Sequence, residues 1–151
     1  MKTVPVAAAI LMVAIVASQF LFPNAAVQTV DLFLEAVQQH EPKRVASLFC
    51  RDGVLLGTVS QIQRKGEDIE RYFNYFAKLP NIHVLSKQHN VSRIEPDVQI
   101  NNAVVTWTWD GLEKPVVARM TFVVKNSCIF ELHSSELPHE NEKLFHVSHK
   151  Y

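Results

Sequence analysis

The sequence predicts an α+β domain in which three helices pack on one face of a strongly curved antiparallel sheet. Helical patterns lie between residues 25 and 79, and strand patterns dominate from Ile82 to Pro138. Turn signals separate the strand segments at Glu95-Pro96-Asp97, Asp110-Gly111 and Lys125-Asn126-Ser127, a spacing typical of an antiparallel meander. Helices that close one end of such a sheet make a cone, and a cone has an interior.

Three segments of the N-terminal half carry helix signals. The first runs from Ala25 to Gln39, and its apolar stripe at helical spacing consists of Val30, Phe33, Leu34 and Val37. The second, short helix begins at Glu41-Pro42, because proline suits a first helical turn. The third runs from Gly66 to Leu79, has an acidic first turn and ends before Pro80. Its apolar face is formed by Ile69, Tyr72, Phe73, Phe76 and Ala77.

The strands follow a period of two. Val54-Leu55-Leu56 opens the first strand, and residues 60–65 are interpreted as a short polar hairpin or loop. Four later strands are predicted at Ile82–Ile94, Val98–Trp109, Val116–Lys125 and Ser127–Ser135. One face of the second of these four carries Ala103, Val105, Trp107 and Trp109.

The charge balance argues against a nucleic-acid partner. The 151 residues contain fifteen basic and fifteen acidic side chains, and no block of like charge forms a basic face. The seven histidines show no metal-ligand spacing, although His146 and His149 are three residues apart in a polar segment. We therefore expect no metal site, no cofactor and no nucleic-acid partner.

Residues 1–24 have the pattern of a secretory signal peptide, with Lys2 ahead of an almost wholly apolar run from Val4 to Phe22. An uncleaved membrane anchor is the alternative, since about 19 apolar residues also reach across a bilayer. Either hypothesis places the domain, residues 25–138, outside the cytoplasm, as a periplasmic, secreted or membrane-anchored protein. The only membrane contact is then through the N-terminal segment. Residues 139–151 are predicted to be a polar tail.

Cys50 and Cys128 have two interpretations. In an oxidising compartment they can pair as a disulfide. Both also lie beside apolar residues, where free buried thiols are common. The sequence leaves these alternatives open, and it contains no CxxC or Cys/His zinc pattern.

The hairpin from Val116 to Pro138 carries a cluster of side chains that can do chemistry. Arg119 is either a pocket residue that binds a carboxylate or a salt-bridge partner of Glu131. His133 lies two residues after Glu131, so both face the same side, and it is either a general base or a structural histidine. Ser135 shares that face, but nothing marks it as an activated nucleophile.

Two further groups complete the set of site hypotheses. Tyr72 is either a core residue or a pocket residue whose hydroxyl needs a partner. Asp110 with Tyr72 is the one carboxylate–tyrosine pair that we can offer for an isomerase-like reaction, although Asp110 lies in a turn beside Gly111. Trp107 is included among the ligand-binding residues.

Four stretches together resemble the NTF2-like superfamily, and most closely its SnoaL-like branch related to the association domain of calcium/calmodulin-dependent kinase II. They are RVASLFCRDGVLLGTVS, GEDIERYFNYF, ARMTFVV and ELHSSELP. The resemblance implies a cone-shaped α+β fold, an interior pocket, and a dimer or larger assembly through the sheet. The sequence departs from the pattern at Leu132, where the family has the first of two histidines, and at Met120, where it has an aromatic residue.

We therefore expect an exported NTF2-like domain that binds a small polar or anionic molecule in its cone, as a homodimer. The expected ligand-binding residues are Arg119, His133, Tyr72, Ser135 and Trp107. One alternative is a SnoaL-like isomerase or hydrolase that uses His133 with Arg119 and Tyr72. The other is a non-catalytic protein-association module. The loss of a histidine at Leu132 weighs against proton transfer if this position lines the cavity.

Overall fold

The structure is a computed structural model that describes residues 24–58 and 62–138. Within these residues the chain forms three helices and six strands. They follow in the order α1 (Ala25–Gln38), α2 (Pro42–Ser47), β1 (Phe49–Leu56), β2 (Gln63–Arg64), α3 (Glu67–Phe76), β3 (His83–Glu95), β4 (Val98–Thr108), β5 (Val116–Lys125) and β6 (Cys128–Leu137). The predicted α+β class is confirmed, and all three predicted helices are present. Helix α1 ends one residue before the predicted Gln39, and α3 ends three residues before the predicted Leu79.

The six strands form one curled, open sheet in the order β2-β1-β6-β5-β4-β3. Strands β3 to β6 make the predicted antiparallel meander. The mixed pairing was not predicted: β1 lies parallel to β6, after the chain has passed through β2, α3 and three further strands. β2 adds a two-residue antiparallel edge to β1 within the segment interpreted as a hairpin or loop.

The helices cover the concave, inner face of the sheet. Phe33 of α1 lies at the centre of this core and contacts two rings edge-to-face, with its centroid 5.4 Å from Phe73 of α3 and 5.2 Å from Phe122 of β5. Such aromatic pairs contribute about 0.5–1.5 kcal/mol beyond the burial of their area. They hold both long helices against the middle of the sheet, so the remaining interior space lies towards one end.

Cys50 and Cys128 form a disulfide, with their Cα atoms 5.1 Å apart. The bond therefore decides between the two interpretations of the cysteines. It joins the start of β1 to the start of β6, which are neighbours in the sheet but lie 78 residues apart in sequence.

A network of exposed polar groups links the end of α1 to α2. Arg44 Nη1 donates to Glu41 Oε2 at 2.9 Å, and Arg44 Nη2 lies 3.3 Å from Glu35 Oε2. The hydrogen bond with Glu41 is the main cause that raises the pKa of the Arg44 guanidinium above its ordinary value. The pair remains in water, so it orients the α1–α2 corner more than it stabilises it.

The predicted signal peptide or anchor, apart from Asn24, and the predicted polar tail lie outside the described residues. Asn24 caps α1, because its side-chain oxygen accepts a hydrogen bond from the backbone N–H of Ala26 at 3.0 Å. In the part of the chain that the structure describes, no helix combines the length and the apolar character needed to cross a membrane.

Candidate functional site

A cavity of about 130 Å³ lies between the helices and the inner face of the sheet. Its size is close to the ~150 Å³ of an engineered protein cavity that stays dry and binds benzene. Aromatic rings supply a large part of the wall: Phe33, Tyr72, Phe73, Phe76, Trp107 and Trp109. Aliphatic side chains and Met120 supply most of the rest, so the space suits a compact, mainly apolar molecule.

Few polar groups reach this cavity. The hydroxyls of Thr58 and Ser134 are hydrogen-bonded to each other at 2.5 Å, and Ser134 is buried. Glu136 is exposed at the rim and is the one charged residue in the wall among the described residues. Tyr72 completes the polar set. The cavity therefore offers an apolar body with hydroxyl groups and one carboxylate at its edge.

Tyr72 is placed by a glycine and faced by an arginine. A Cβ atom on Gly57 would lie 2.3 Å from Tyr72 Cζ and Oη, so only a glycine lets the ring approach the backbone this closely. The guanidinium carbon of Arg64 lies 4.6 Å from the ring centroid, within the range of a cation–π interaction. Tyr72 thus stands between the cavity and an outer cleft that Arg64 lines.

Strand alternation decides which side chains reach the cavity. On β6, Leu132, Ser134 and Glu136 face inward, and the residues between them face outward. On β5, Ala118 and Met120 line the cavity, and Met120 pairs with Ser134. From Ala118 to Val124 on β5 and from Leu132 to Ser134 on β6, the buried inner positions are therefore the even-numbered ones. The register shift at Val123/Val124 makes the odd-numbered Ile129 the buried residue nearer the start of β6.

The predicted convergence of Arg119, His133 and Tyr72 on one cavity is wrong. Arg119, His133 and Ser135 lie on the outer, convex face of the sheet, where they line a separate depression of about 150 Å³. Arg119 pairs across the strands with Ser135, and His133 pairs with Thr121. The outer face was mistaken for the cavity side because β-branched residues flank Arg119 on that face, namely Val117, Thr121 and Val123.

The structure resolves some of the alternatives that the sequence left open for Arg119 and His133. His133 Nε2 lies 2.5 Å from Glu131 Oε1, so the two residues do share a face. Among the ion pairs of the described residues, none joins Arg119 to Glu131. A ligand-binding role for Arg119, His133 and Ser135 therefore has no connection to the cone, whereas Tyr72 and Trp107 do line it.

The predicted Asp110–Tyr72 pair is also wrong. Asp110 is exposed beyond the end of β4, and its Oδ2 accepts a hydrogen bond from Asn81 Nδ2 at 2.6 Å. It is not part of the cavity wall, whereas Tyr72 is. The carboxylate that does belong to the cavity is Glu136.

Leu132 has no exposed surface and lines the cavity. The position where the resemblance implies a histidine is therefore an inner-face position, and in this protein it is apolar. An imidazole at this position would face the interior, so its replacement by Leu132 removes a proton-transfer group from the cavity.

Thr58, Ser134 and Glu136 line the cavity but were not among the predicted site residues. A signal for two of them was present, since Ser134 and Glu136 share a strand face with the apolar Leu132. No signal pointed to Thr58, which meets Ser134 only through the β1–β6 pairing. Within residues 24–58 and 62–138, no group of three or more His, Cys, Asp and Glu side chains is placed to hold a metal ion.

Comparison with known structures identifies the family. A protein from Xanthomonas campestris, described as a candidate calcium/calmodulin-dependent protein kinase II association domain, is 31% identical to this chain with a TM-score of 0.63. The match covers 76% of this chain and 86% of that protein. The chain belongs to this family of kinase-association-domain-like proteins. The NTF2-like relationship inferred from the four sequence stretches is confirmed.

More distant neighbours share the fold of this association-domain-like protein. A ketosteroid isomerase-like protein from Erwinia carotovora atroseptica is 14% identical over 74% of this chain and 93% of its own, with a TM-score of 0.59. The Orange Carotenoid Protein of Anabaena (Nostoc) sp. PCC 7120, in a structure that binds canthaxanthin, is 19% identical with a TM-score of 0.64. That match covers 77% of this chain and 37% of the carotenoid protein. No sequence profile of a protein family matches the chain, and no functionally curated protein is detectably similar to it.

Proposed function

We propose that this association-domain-like protein binds a small, mostly apolar molecule in its cone. The observation that carries the proposal is the cavity of about 130 Å³ walled by six aromatic rings and aliphatic side chains. Burial of a ligand's apolar surface there is favourable by roughly 25 cal/mol per Å². A ligand with a polar end would direct that end towards Thr58, Ser134 and Glu136.

This proposal replaces the polar or anionic ligand expected from the sequence. That expectation depended on Arg119 in the pocket, and Arg119 lies on the other side of the sheet. An anion in the cone would instead meet the carboxylate of Glu136 and the negative faces of aromatic rings. The charges of the cavity wall therefore do not favour an anionic ligand.

Binding is favoured over catalysis for a geometric reason. The isomerase or hydrolase hypothesis used His133 with Arg119 and Tyr72, and the sheet separates the first two from the third. A general base must come within hydrogen-bond reach of the proton that it abstracts. A molecule held in the cone lies out of reach of His133.

Export and homodimer formation remain part of the proposal. The apolar N-terminal run supports export, and the Cys50–Cys128 disulfide suits an oxidising compartment. A row of half-buried β-branched residues on the outer face supports pairing of two sheets: Ile100, Val104, Val117 and Val123. These four side chains provide an apolar surface between the polar groups of this face that a second sheet can cover.

The test is a titration with small apolar molecules, followed by tryptophan fluorescence and thermal unfolding. Trp107 and Trp109 line the cavity, so a bound ligand should change their emission. Ligand binding should also raise the melting temperature by linkage. Ala118→Phe fills the cavity and should abolish both signals, whereas Asn74→Phe places the same ring on the exposed surface of α3 and should preserve them. Equal binding by both variants would contradict the proposal.

A further inference from the structure

We infer that the ligand of the cone is a cation, namely a small amine or quaternary ammonium compound. The inference rests on the proposed binding function and narrows its ligand class. Its basis is the charge of the cavity wall. Among the described residues, the wall contains one carboxylate, Glu136, and no lysine, arginine or histidine.

The aromatic rings add to this negative character. The face of an aromatic ring carries partial negative charge and attracts a cation that lies within about 6 Å, most strongly for tryptophan. Trp107 and Trp109 lie two residues apart on the cavity side of β4 and its extension, and Phe76 faces the cavity from α3. These three rings, on two separate elements, are the part of the cavity wall that we assign as an aromatic cage for the cation.

Glu136 lies at the edge of this cage. It pairs across the sheet with Ala118, which itself pairs with Val105, two residues before Trp107. The carboxylate is therefore at the same end of the sheet as the tryptophans. Because it stays exposed, Glu136 remains hydrated at the rim and does not require a partner inside the protein.

One cationic side chain already contacts an aromatic ring at the edge of the cavity. The guanidinium of Arg64 lies over the Tyr72 ring from the adjoining cleft, but Arg64 does not line the cavity. The contact occupies one face of Tyr72, so we assign the ligand's cation to Trp107, Trp109 and Phe76. These three rings belong to the cavity wall, which contains no basic side chain among the described residues.

Three molecules of nearly the same shape separate charge from size. Choline is the cation, 3,3-dimethylbutan-1-ol is its neutral isostere, and 3,3-dimethylbutanoate is the anion. Isothermal titration of the full domain should give choline an affinity about three-fold or more above that of the alcohol, as expected for a cation–π contact. The carboxylate should bind most weakly. Equal or tighter binding of the alcohol would overturn the inference and leave the proposed function intact, whereas no binding by any of the three would count against both.

Two substitutions assign the preference to named groups. Glu136→Gln keeps the shape of the side chain and should lower choline affinity about three-fold, the scale of one exposed ion pair, without changing affinity for the alcohol. Glu131→Gln makes the same change on β6 outside the cavity and should affect neither ligand. Trp109→Leu should weaken choline more than the alcohol, because only the cation loses the attraction of a ring face. A parallel loss for both ligands would show that Trp109 supplies apolar contact alone and would contradict the cage.

Discussion

The hydroxyl end of Tyr72 lies directly against the backbone of Gly57, leaving no room there for a methyl group. A Cβ atom on Gly57 would approach Tyr72 Cζ and Oη to 2.3 Å. Gly57 follows β1, and Tyr72 lies on α3, so this contact sets how closely the helix approaches the strand end at the cavity wall. The position of one wall of the cavity therefore depends on a residue with no side chain.

Gly57→Ala should displace the Tyr72 ring and destabilise the domain by about 1–3 kcal/mol, the usual cost of overpacking. The displaced ring should also weaken binding in the cone, because the wall moves. Chemical denaturation and ligand titration measure the two effects. The double variant Gly57→Ala/Tyr72→Leu should recover part of the lost stability, since the smaller side chain relieves the clash. An additive loss in the double variant would show that the two residues are not in conflict.

Reduction of the Cys50–Cys128 disulfide should lower the free energy of unfolding by about 2–4 kcal/mol. The bond closes a long loop, and its loss gives the unfolded chain more freedom. Denaturation with and without reductant measures the difference. The variant Cys50→Ser/Cys128→Ser should unfold like the reduced protein and should not respond to reductant. A wild-type protein of unchanged stability after complete reduction would contradict this account.

Leu132→His restores the residue type that the family resemblance implies, but in a cavity wall with few polar groups. The substitution should cost about 2–4 kcal/mol, because it replaces a buried apolar side chain with a polar one. Desolvation should depress the pKa of the new imidazole in the folded state below about 6.5. The unfolded state then binds more protons, so the variant should lose further stability as the pH falls from 8 to 5.5.

The control for that pH dependence is Asn74→His, an exposed position on α3. Its stability should follow that of the wild type across the same pH range, because a hydrated imidazole has a similar pKa in the folded and unfolded states. Matching pH profiles for Leu132→His and Asn74→His would mean that the inner position is not dry.

The outer face offers a test of the proposed homodimer. Val104 is half-buried on this face and pairs across the strands with Arg119. Val104→Glu should convert a dimer into a monomer, since an interface core disfavours charge. Light scattering coupled to size exclusion measures the mass. Asn74→Glu introduces the same charge at an exposed position of α3, on the other side of the sheet, and should leave the dimer intact. A monomeric wild type would reject the homodimer directly.

Local periodicity was sufficient to predict most of the fold. The stripe of Val30, Phe33, Leu34 and Val37 became the buried face of α1, because a helix of that spacing has one side to bury. The turn at Lys125-Asn126-Ser127 became the β5–β6 connection, with positive φ at Asn126 and Ser127. The parallel β1–β6 pairing carried no local signal, since it brings together strands that are distant in sequence.

The site was harder to predict for a geometric reason. The alternation of side chains along a strand shows which residues share a face of the sheet, but it does not show which face lines the cavity. Arg119, His133 and Ser135 were correctly placed together, but on the wrong side. Leu132 could have identified the inner face, because it is the one apolar residue between Glu131 and Glu136. The face that it shares with Ser134 and Glu136 is the inner one. Thr58 and Ser134 meet across 76 residues, and only the tertiary structure reveals that contact.

The central claim is that the ligand occupies the cone and not the outer depression. Nuclear magnetic resonance titration with choline, and with its neutral isostere, tests this most directly by mapping which side chains respond. The account predicts shifts of the Met120 methyl and the Trp107 indole N–H, both on the inner face, with the outer-face Thr121 methyl unchanged. Shifts confined to Thr121, Arg119 and His133, with Met120 and Trp107 silent, would contradict it.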